Sequence, residues 1–315
     1  MRRRDFISSM VAAGVGAAAG PSIARGAGKP RGRLAQRRYG HTRRKLSIVG
    51  LGGIVVSQIE QSEANDIVAW AVDRGVTYFD VAPTYGNAQE RLGPALKPYR
   101  DRSFLACKTT KRDAAGAQAE LEESLRLLQT DHVDLYQLHG LSKEEEVDAV
   151  MAPGGALETF VRAREKGQAL HLGFSAHSVP TALKALDAFH FDSVLFPLNA
   201  VCIENGHFGP QVLEAAARKG TACLALKALA WTPWPQGAEH AQPKCWYEPI
   251  TDRELVRLAL TYTLSLPVAA AIPPGDPEVF KMAVELGLIY SHLTGEERAE
   301  LLRRMAGVEP IFKNA

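Results

Sequence analysis

The chain has 315 residues, 46% of them hydrophobic and 23% charged, which is ordinary globular composition with enough apolar residues for a sizeable core and excludes a fibrous or disordered chain. The formal net charge of +2 hides an asymmetry: 12 of the 37 Lys+Arg but one of the 35 Asp+Glu lie in residues 1–45, leaving 25 bases against 34 acids, net −9, over residues 46–315. An acidic body excludes a nucleic-acid binder, and four cysteines at 107, 202, 223 and 245, with no C-x-x-C pair or Cys/His cluster, exclude a disulfide scaffold and a zinc or iron–sulfur site.

Residues 1–30 are a different material from the rest. "MRRRDFISSM" opens with three arginines and "VAAGVGAAAGPSIA" follows as a weakly apolar Ala/Gly run, the pattern of a targeting segment. A run so short and rich in glycine makes no stable membrane anchor, which needs about 20 apolar residues. Arg2, Arg3 and Arg4 ahead of Phe6 and Ile7 resemble a twin-arginine (Tat) export signal, with small residues at Ser22 and Ala24 suited to cleavage after Ala24. Such export carries folded proteins. The resemblance therefore implies a cofactor enzyme, with the Tat machinery as a partner and a periplasmic or other extracytoplasmic location.

From residue 46 onward, short apolar runs alternate with amphipathic ones. Strand-like runs are "LSIVGLG" (46–52), "VTYFDV" (76–81), "SFLACK" (103–108), "VDLYQLH" (133–139), "ALHLGFS" (169–175), "SVLFPLN" (193–199), "TACLALK" (221–227) and "PVAAAI" (267–272). Between them, "AELEESLRLLQ" (119–129) spaces Leu121, Leu125 and Leu128 along one helix face, and "TDRELVRLALTYTL" (251–264) opens with a Thr251/Glu254 capping box. Eight strands alternating with helices predict an α/β fold, a parallel (β/α)8 barrel forming one domain over residues 31–315. A doubly wound sheet would want a G-x-G-x-x-G turn after its first strand. "GLGG" at 50–53 fails that pattern at Val55.

Barrel active sites gather at the C-terminal ends of the strands, and polar residues fall there: Asp80, Lys108, His139, Ser175, Asn199 and Lys227, with Tyr85 in the loop after the second strand. A tyrosine hydroxyl, with a pKa of about 10, is a sluggish acid until a cation stabilises its phenolate. Lys108 can supply that cation, Asp80 can keep Lys108 charged, and His139 can orient a substrate oxygen. Together they suit protonation of a carbonyl. Lys108 alone would also suit a Schiff-base lysine, but that leaves Asp80 and Tyr85 without a role. His171 and His177 have no evident third ligand, so no metal site is expected.

Over residues 36–290 the chain resembles an aldo-keto reductase. "RRYGHTRRKLSIVGLGG" resembles that family's N-terminal hairpin and first strand, "GVTYFDVAPTYGNAQERLGPAL" the segment with its aspartate and tyrosine, "LACK" the strand ending in its lysine, and "ELEESLRLLQTDHVDLYQLHG" the approach to its histidine. The resemblance implies an NAD(P)-dependent oxidoreductase that reduces aldehydes or ketones, or oxidises the alcohols, with Tyr85 as proton donor, Lys108 lowering its pKa, Asp80 pairing with Lys108 and His139 orienting the carbonyl. It further implies NADPH or NADH as cofactor, held by Gly52, Gly53, Ser175, Asn199, Lys227, Leu229, Gly275 and Asp276, and a small-molecule carbonyl or sugar substrate. Departures lie on the cofactor side: Ala176 and Leu195 stand where the family usually has carboxamide-binding residues, and Asp276 with Pro277 replaces basic or hydroxyl residues. An acid there repels a 2′-phosphate.

The loop after the seventh strand, "AWTPWPQGAEHAQPKCWYEP" (230–249), carries several aromatics, of which Trp231 and Trp234 are expected to stack on a substrate at the mouth; a hydrophobic lid would read the same way. The departures at Ala176, Leu195 and Asp276 also motivate an alternative, an exported non-catalytic binding protein that has lost cofactor affinity.

Overall fold

Residues 34–47 turn back on themselves before the barrel begins. In the computed structural model, which describes residues 32–314, β1 (Gln36–Arg38) and β2 (Lys45–Ser47) form an antiparallel hairpin in which Gln36 faces Ser47. The proposed export segment, residues 1–30, lies outside the described residues. The predicted run 46–52 is thus divided: its first two residues belong to the hairpin and its last two form β3 (Leu51–Gly52). Glycines at 50, 52 and 53 account for the shortness of β3, since glycine contributes no side chain to pack and more freedom to lose.

The remaining strands follow the predicted alternation. β4 (Tyr78–Asp80), β5 (Phe104–Thr109), β6 (Val133–Leu141), β7 (Ala169–Ala176), β8 (Ser193–Pro197) and β9 (Ala222–Leu226) are buried along nearly their whole length. β10 (Ala230–Pro233) and β11 (Tyr247–Pro249) make a second antiparallel hairpin out of the long 230–249 loop, and β12 (Ala270–Ala271) is the last strand. Eight strands lie in one parallel sheet in the order β12-β9-β8-β7-β6-β5-β4-β3. Its two edges meet: Val49 bridges Ala271 in parallel, with Gly50 N–H donating to Ala271 C=O and Ala271 N–H to Ile48 C=O, both at 2.9 Å. The sheet is therefore closed into a (β/α)8 barrel.

Strand residues two apart share a face, and that period sorts the core into two layers. Tyr78, Phe104, Ala106, Leu135, Leu195, Leu224 and Ala270 fill the barrel's interior, while Phe79, Leu105, Tyr136, Val194 and Cys223 pack outward under the helices. Tyr39 and Leu46 of the first hairpin join the inner set with no exposure, so the hairpin plugs the N-terminal end. Below them Asp134 is 1% exposed and accepts from Arg44, from Arg100 and from the backbone N–H of Leu105.

Helix ends follow local chemistry. The helix Ala114–Leu128 is capped by Asp113 and buries Leu121, Leu125 and Leu128 as expected. The helix Arg253–Ser265 corrects one expectation: its N-cap is Asp252, whose carboxylate accepts from Leu255 N–H, in place of a Thr251/Glu254 box. Either residue is a good cap, and the chain enters one residue later. The helix Pro277–Leu288 is capped by Asp276, which accepts from Glu278 and Val279 N–H, and starts on Pro277, a residue suited to the first helical turn.

Asp134→Ala leaves two arginines and an amide without their buried acceptor, and is expected to destabilise the fold by about 3 kcal/mol, seen as a lowered midpoint in urea unfolding, while Asp134→Asn loses less.

Candidate active site

Tyr78 and Asp80 are two apart on β4, and Gln137 and His139 two apart on β6, so each pair faces the barrel axis. Strand register then sets them against one another: Asp80 lies opposite Ala106, and Lys108, two residues further along β5, lies opposite Gln137. The result is a carboxylate that accepts from three side chains. Lys108 Nζ pairs with Asp80 Oδ1, while Gln137 Nε2 (2.9 Å) and the Tyr78 hydroxyl (3.1 Å) donate to Oδ2. Lys108 is fully buried and Asp80 is 2% exposed. The ammonium also reaches the Val81 carbonyl at 3.3 Å and the Tyr85 hydroxyl at 3.4 Å.

Tyr85 sits in the loop after β4, its ring 5.6 Å from that of His139 and edge-on to it. His139 Nδ1 lies 3.4 Å from the Thr84 hydroxyl, which leaves the ring proton on Nε2 as a donor when that hydroxyl donates. Arg112, itself paired with Glu146, holds the His139 carbonyl at 2.8 Å.

Burial and neighbouring charge set the protonation states. Burial opposes the charge on Lys108, yet Asp80 and then Tyr85 outweigh it and keep its pKa above the ordinary lysine value. Burial also raises Tyr85; Lys108 pulls it down, Asp80 pushes it up again, and the balance stays above an ordinary tyrosine. Lys108 thus lowers Tyr85 in the expected direction, but burial, the largest influence, outweighs it. Burial, then Lys108, His177 and Lys227, lowers His139 to about 3. At neutral pH the three groups are a phenol, an ammonium and a neutral imidazole.

A cavity of about 320 Å³ opens beside them, lined by Asp80, Thr84, Tyr85, His139, His177, Leu226, Lys227, Lys244, Trp246 and Tyr247, and running to Gly52, Ile272 and Gly275. Of the residues expected to hold a cofactor, Gly52, Lys227 and Gly275 line it. Asp276, next to Gly275, does not line it, and its carboxylate is committed to capping a helix. Ser175 is elsewhere employed, accepting from Gly140 N–H at 2.7 Å; Asn199 caps the helix Ala200–Glu204 and donates to the Lys227 carbonyl. Gly53 packs on Val81, and Leu229 is buried in the core. Ala176 and Leu195 are fully buried.

The aromatic pair is also placed differently from expectation. Trp231 packs against the core, and Trp234 donates to Cys245 C=O while stacking on His240; Trp246 and Tyr247 are the ones that line the cavity. The second hairpin turns the first two away from the mouth. Gln137 and Tyr78 went unread in the sequence, although they share strand faces with His139 and Asp80 and could have been found by that period, and His177 was weighed only as a metal ligand. All four cysteines are buried and unpaired, and among the described residues no group of His, Cys, Asp and Glu could hold a metal.

The Aldo/keto reductase family model matches residues 48–244. The methylglyoxal reductase DkgA of Yersinia pestis is 30% identical over 208 residues, 65% of this chain and 67% of that protein. The oxidoreductase YqkF of Bacillus subtilis is 29% identical over 157 residues, 45% of this chain and 49% of its own length, so the chain spans about half of some relatives it matches. Among solved structures, PA4992 of Pseudomonas aeruginosa superposes with a TM-score of 0.67 at 25% identity, over 82% of this chain and 97% of that one. The holo form of the aldo-keto reductase AKR11C1 of Bacillus halodurans gives 0.68 at 23%, over 86% and 96%, a likeness of fold.

Lys108→Met strands a buried carboxylate and is expected to cost about 3–5 kcal/mol, while the double variant Asp80→Asn/Lys108→Met recovers most of it. A double-mutant cycle in urea reads the difference.

Proposed function

This chain belongs to the aldo/keto reductase family, and from that premise we propose that it is an oxidoreductase reducing small aldehydes or ketones with a nicotinamide cofactor. The observation that carries the reading is the meeting of the Tyr85 hydroxyl, the Lys108–Asp80 pair and a neutral His139 at the wall of one cavity.

The residues present fit a nicotinamide dinucleotide in part. Lys244, half-buried at one end of the cavity and donating to the Val55 carbonyl, supplies a cation for an anionic ligand, and Gly52, Leu226 and Gly275 supply a lining without competing polar groups. These four would hold it. Bound there, the nicotinamide supplies the hydride that no side chain can deliver. The Asp276 carboxylate already occupies the N-terminus of its helix, where a second anion meets its charge, and this weighs toward NADH over NADPH.

The chain's own residues handle the proton. His139 Nε2–H donates to the carbonyl oxygen and fixes it beside Tyr85. As negative charge grows on that oxygen, the Tyr85 hydroxyl gives up its proton, and the Lys108 ammonium, 3.4 Å away, stabilises the phenolate left behind. Asp80 keeps that ammonium charged while Gln137 and Tyr78 keep Asp80 in place. A tyrosine held above its ordinary pKa is protonated throughout the physiological range, which suits the reducing direction; oxidation of an alcohol needs the phenolate and gains with rising pH. The segment 1–30 supports export of the folded protein by the twin-arginine route, a reading that rests on its Arg2–Arg4 run and Ala/Gly stretch.

Purified protein is expected to quench its tryptophan fluorescence on titration with NADH or NADPH and to oxidise one of them in the presence of a small aldehyde. Absence of both responses would end this reading. Tyr85→Phe should lower kcat by about 10²- to 10⁴-fold with the nucleotide titration preserved. With a neutral aldehyde, kcat/KM should stay level from about pH 5 to 9, because His139 is protonated only near 3 and Tyr85 ionises above its ordinary value. A break near pH 6.5 would place a protonated histidine in the reaction instead.

A further inference from the structure

The cavity holds a second cation that the reaction just described leaves unused. Lys227 follows β9 in a left-handed conformation (φ 56°), which a non-glycine residue adopts rarely, and its ammonium lies 5.6 Å from the centre of the Trp246 ring. Among the described residues it has no carboxylate partner within ion-pair distance. Beside it, His177 buries its Nε2 without a hydrogen-bond partner, the ring lying flat on Phe312 with centroids 5.3 Å apart. Both line the cavity that contains Tyr85 and His139.

Charge in this cavity is unbalanced. Asp80 is its one acidic lining residue, and Asp80 is spent on Lys108. Lys227 is near enough to His139 and His177 to depress the protonation of both, whereas Lys244 feels Glu63 and Asp276 at the other end. Lys227 is thus the cation on the Tyr85–His139 side of the cavity, while Lys244, bonded to the Val55 carbonyl, lies toward Glu63 and Asp276. A desolvated ammonium and a buried, unpartnered imidazole nitrogen both cost free energy unless something accepts from them. A neutral aldehyde leaves them unmet; a carboxylate beyond the carbonyl satisfies both.

We propose that Lys227 and His177 form an anion subsite, with the Trp246 ring against the Lys227 ammonium, that selects aldehydes or ketones bearing a carboxylate, so that the substrate is an oxo acid. This rests on the carbonyl-reductase reading above. One lysine and one imidazole suit a monoanion, and the His177 ring, held neutral by burial and by Lys227, donates from Nε2 when that nitrogen carries the proton.

The test compares two substrates with the same carbonyl, 4-carboxybenzaldehyde and its neutral methyl ester. The wild-type protein should favour the acid in kcat/KM by roughly ten- to a hundredfold, and in Lys227→Met the ratio should fall toward one; a ratio cancels any loss common to both substrates, including weaker nucleotide binding. Lys227 loses its proton at about 8, burial being the main cause and Lys108 the next. The other titratable groups facing it are Cys202 and Cys245, with His139 and His177 across the cavity. The preference should therefore decline as pH rises through about 8, and Lys227→Arg should restore it and extend it to higher pH. A wild type indifferent to the carboxylate overturns the proposal. So does a Lys227→Met protein that keeps the ratio but needs more nucleotide, since the lysine then belongs to the cofactor. Calorimetric titration of the acid and the ester onto the protein without nucleotide separates the two readings: turnover of neither substrate with tight, Lys227-dependent binding of the acid defeats the reductase reading alone, and equal binding of both defeats the anion subsite.

Discussion

Everything at the mouth of this barrel is organised around one buried ion pair. Placing an ammonium and a carboxylate in the interior is costly, and their mutual attraction offsets the cost only if the remaining hydrogen-bonding capacity is also satisfied. Here it is, by Gln137 and Tyr78 on the carboxylate and by the Val81 carbonyl on the ammonium. The pair is thereby fixed in position and charge, and the Tyr85 hydroxyl inherits a defined electrostatic neighbour. Without Asp80, burial alone would drive Lys108 toward its neutral form; without Lys108, the same carboxylate would be an isolated charge in the core. Neither half is stable in place alone, and each exists there because adjacent strands β4 and β5 turn both side chains inward within reach of each other.

The barrel itself was legible because its strands are buried on both faces and so read as short apolar runs. Asp80, Lys108 and His139 were legible because a charged or polar residue ending such a run has to face the open end. Other features had no such signal. The run 46–52 gives no sign that it is shared between a hairpin and a barrel strand, since β-branched residues suit both. Thr251 and Asp252 are interchangeable as caps on chemistry alone. In the 230–249 segment no period fixes which tryptophan faces inward, and only the pairing of Ala230 with Pro249 and of Pro233 with Tyr247 turns Trp231 and Trp234 aside and leaves Trp246 at the cavity. Ser175 falls at the end of β7 and Asn199 two residues past β8, as a helix cap, and a sequence does not say that a hydroxyl and an amide will already be bonded to neighbouring backbone.

The two ends of the barrel have opposite duties. At the base, the first hairpin drives Tyr39 and Leu46 into the interior and anchors itself through Arg44 on the buried Asp134, an acid it shares with Arg100. That end is sealed by apolar packing and ion pairs that have no chemistry to perform. At the mouth, hydrogen bonds are left open: among the described residues the Nε2 of His177, the ammonium of Lys227 and the Tyr85 hydroxyl have no acceptor. Packing and ion pairs thus close the base, while the mouth keeps polar side chains turned toward the cavity.

The four cysteines add a last consequence. Each is buried without a disulfide partner, and burial pushes Cys223 up to about 12 and Cys245 to about 11, so that the thiolate, the form that reacts with oxidants, is scarce. Gln89 further engages Cys107. No disulfide among the described residues holds this barrel together, and burial keeps the four thiols away from oxidants. The fold is accordingly indifferent to whether its surroundings are reducing or oxidising, and a chain that matured in one could work in the other without rearranging a covalent bond.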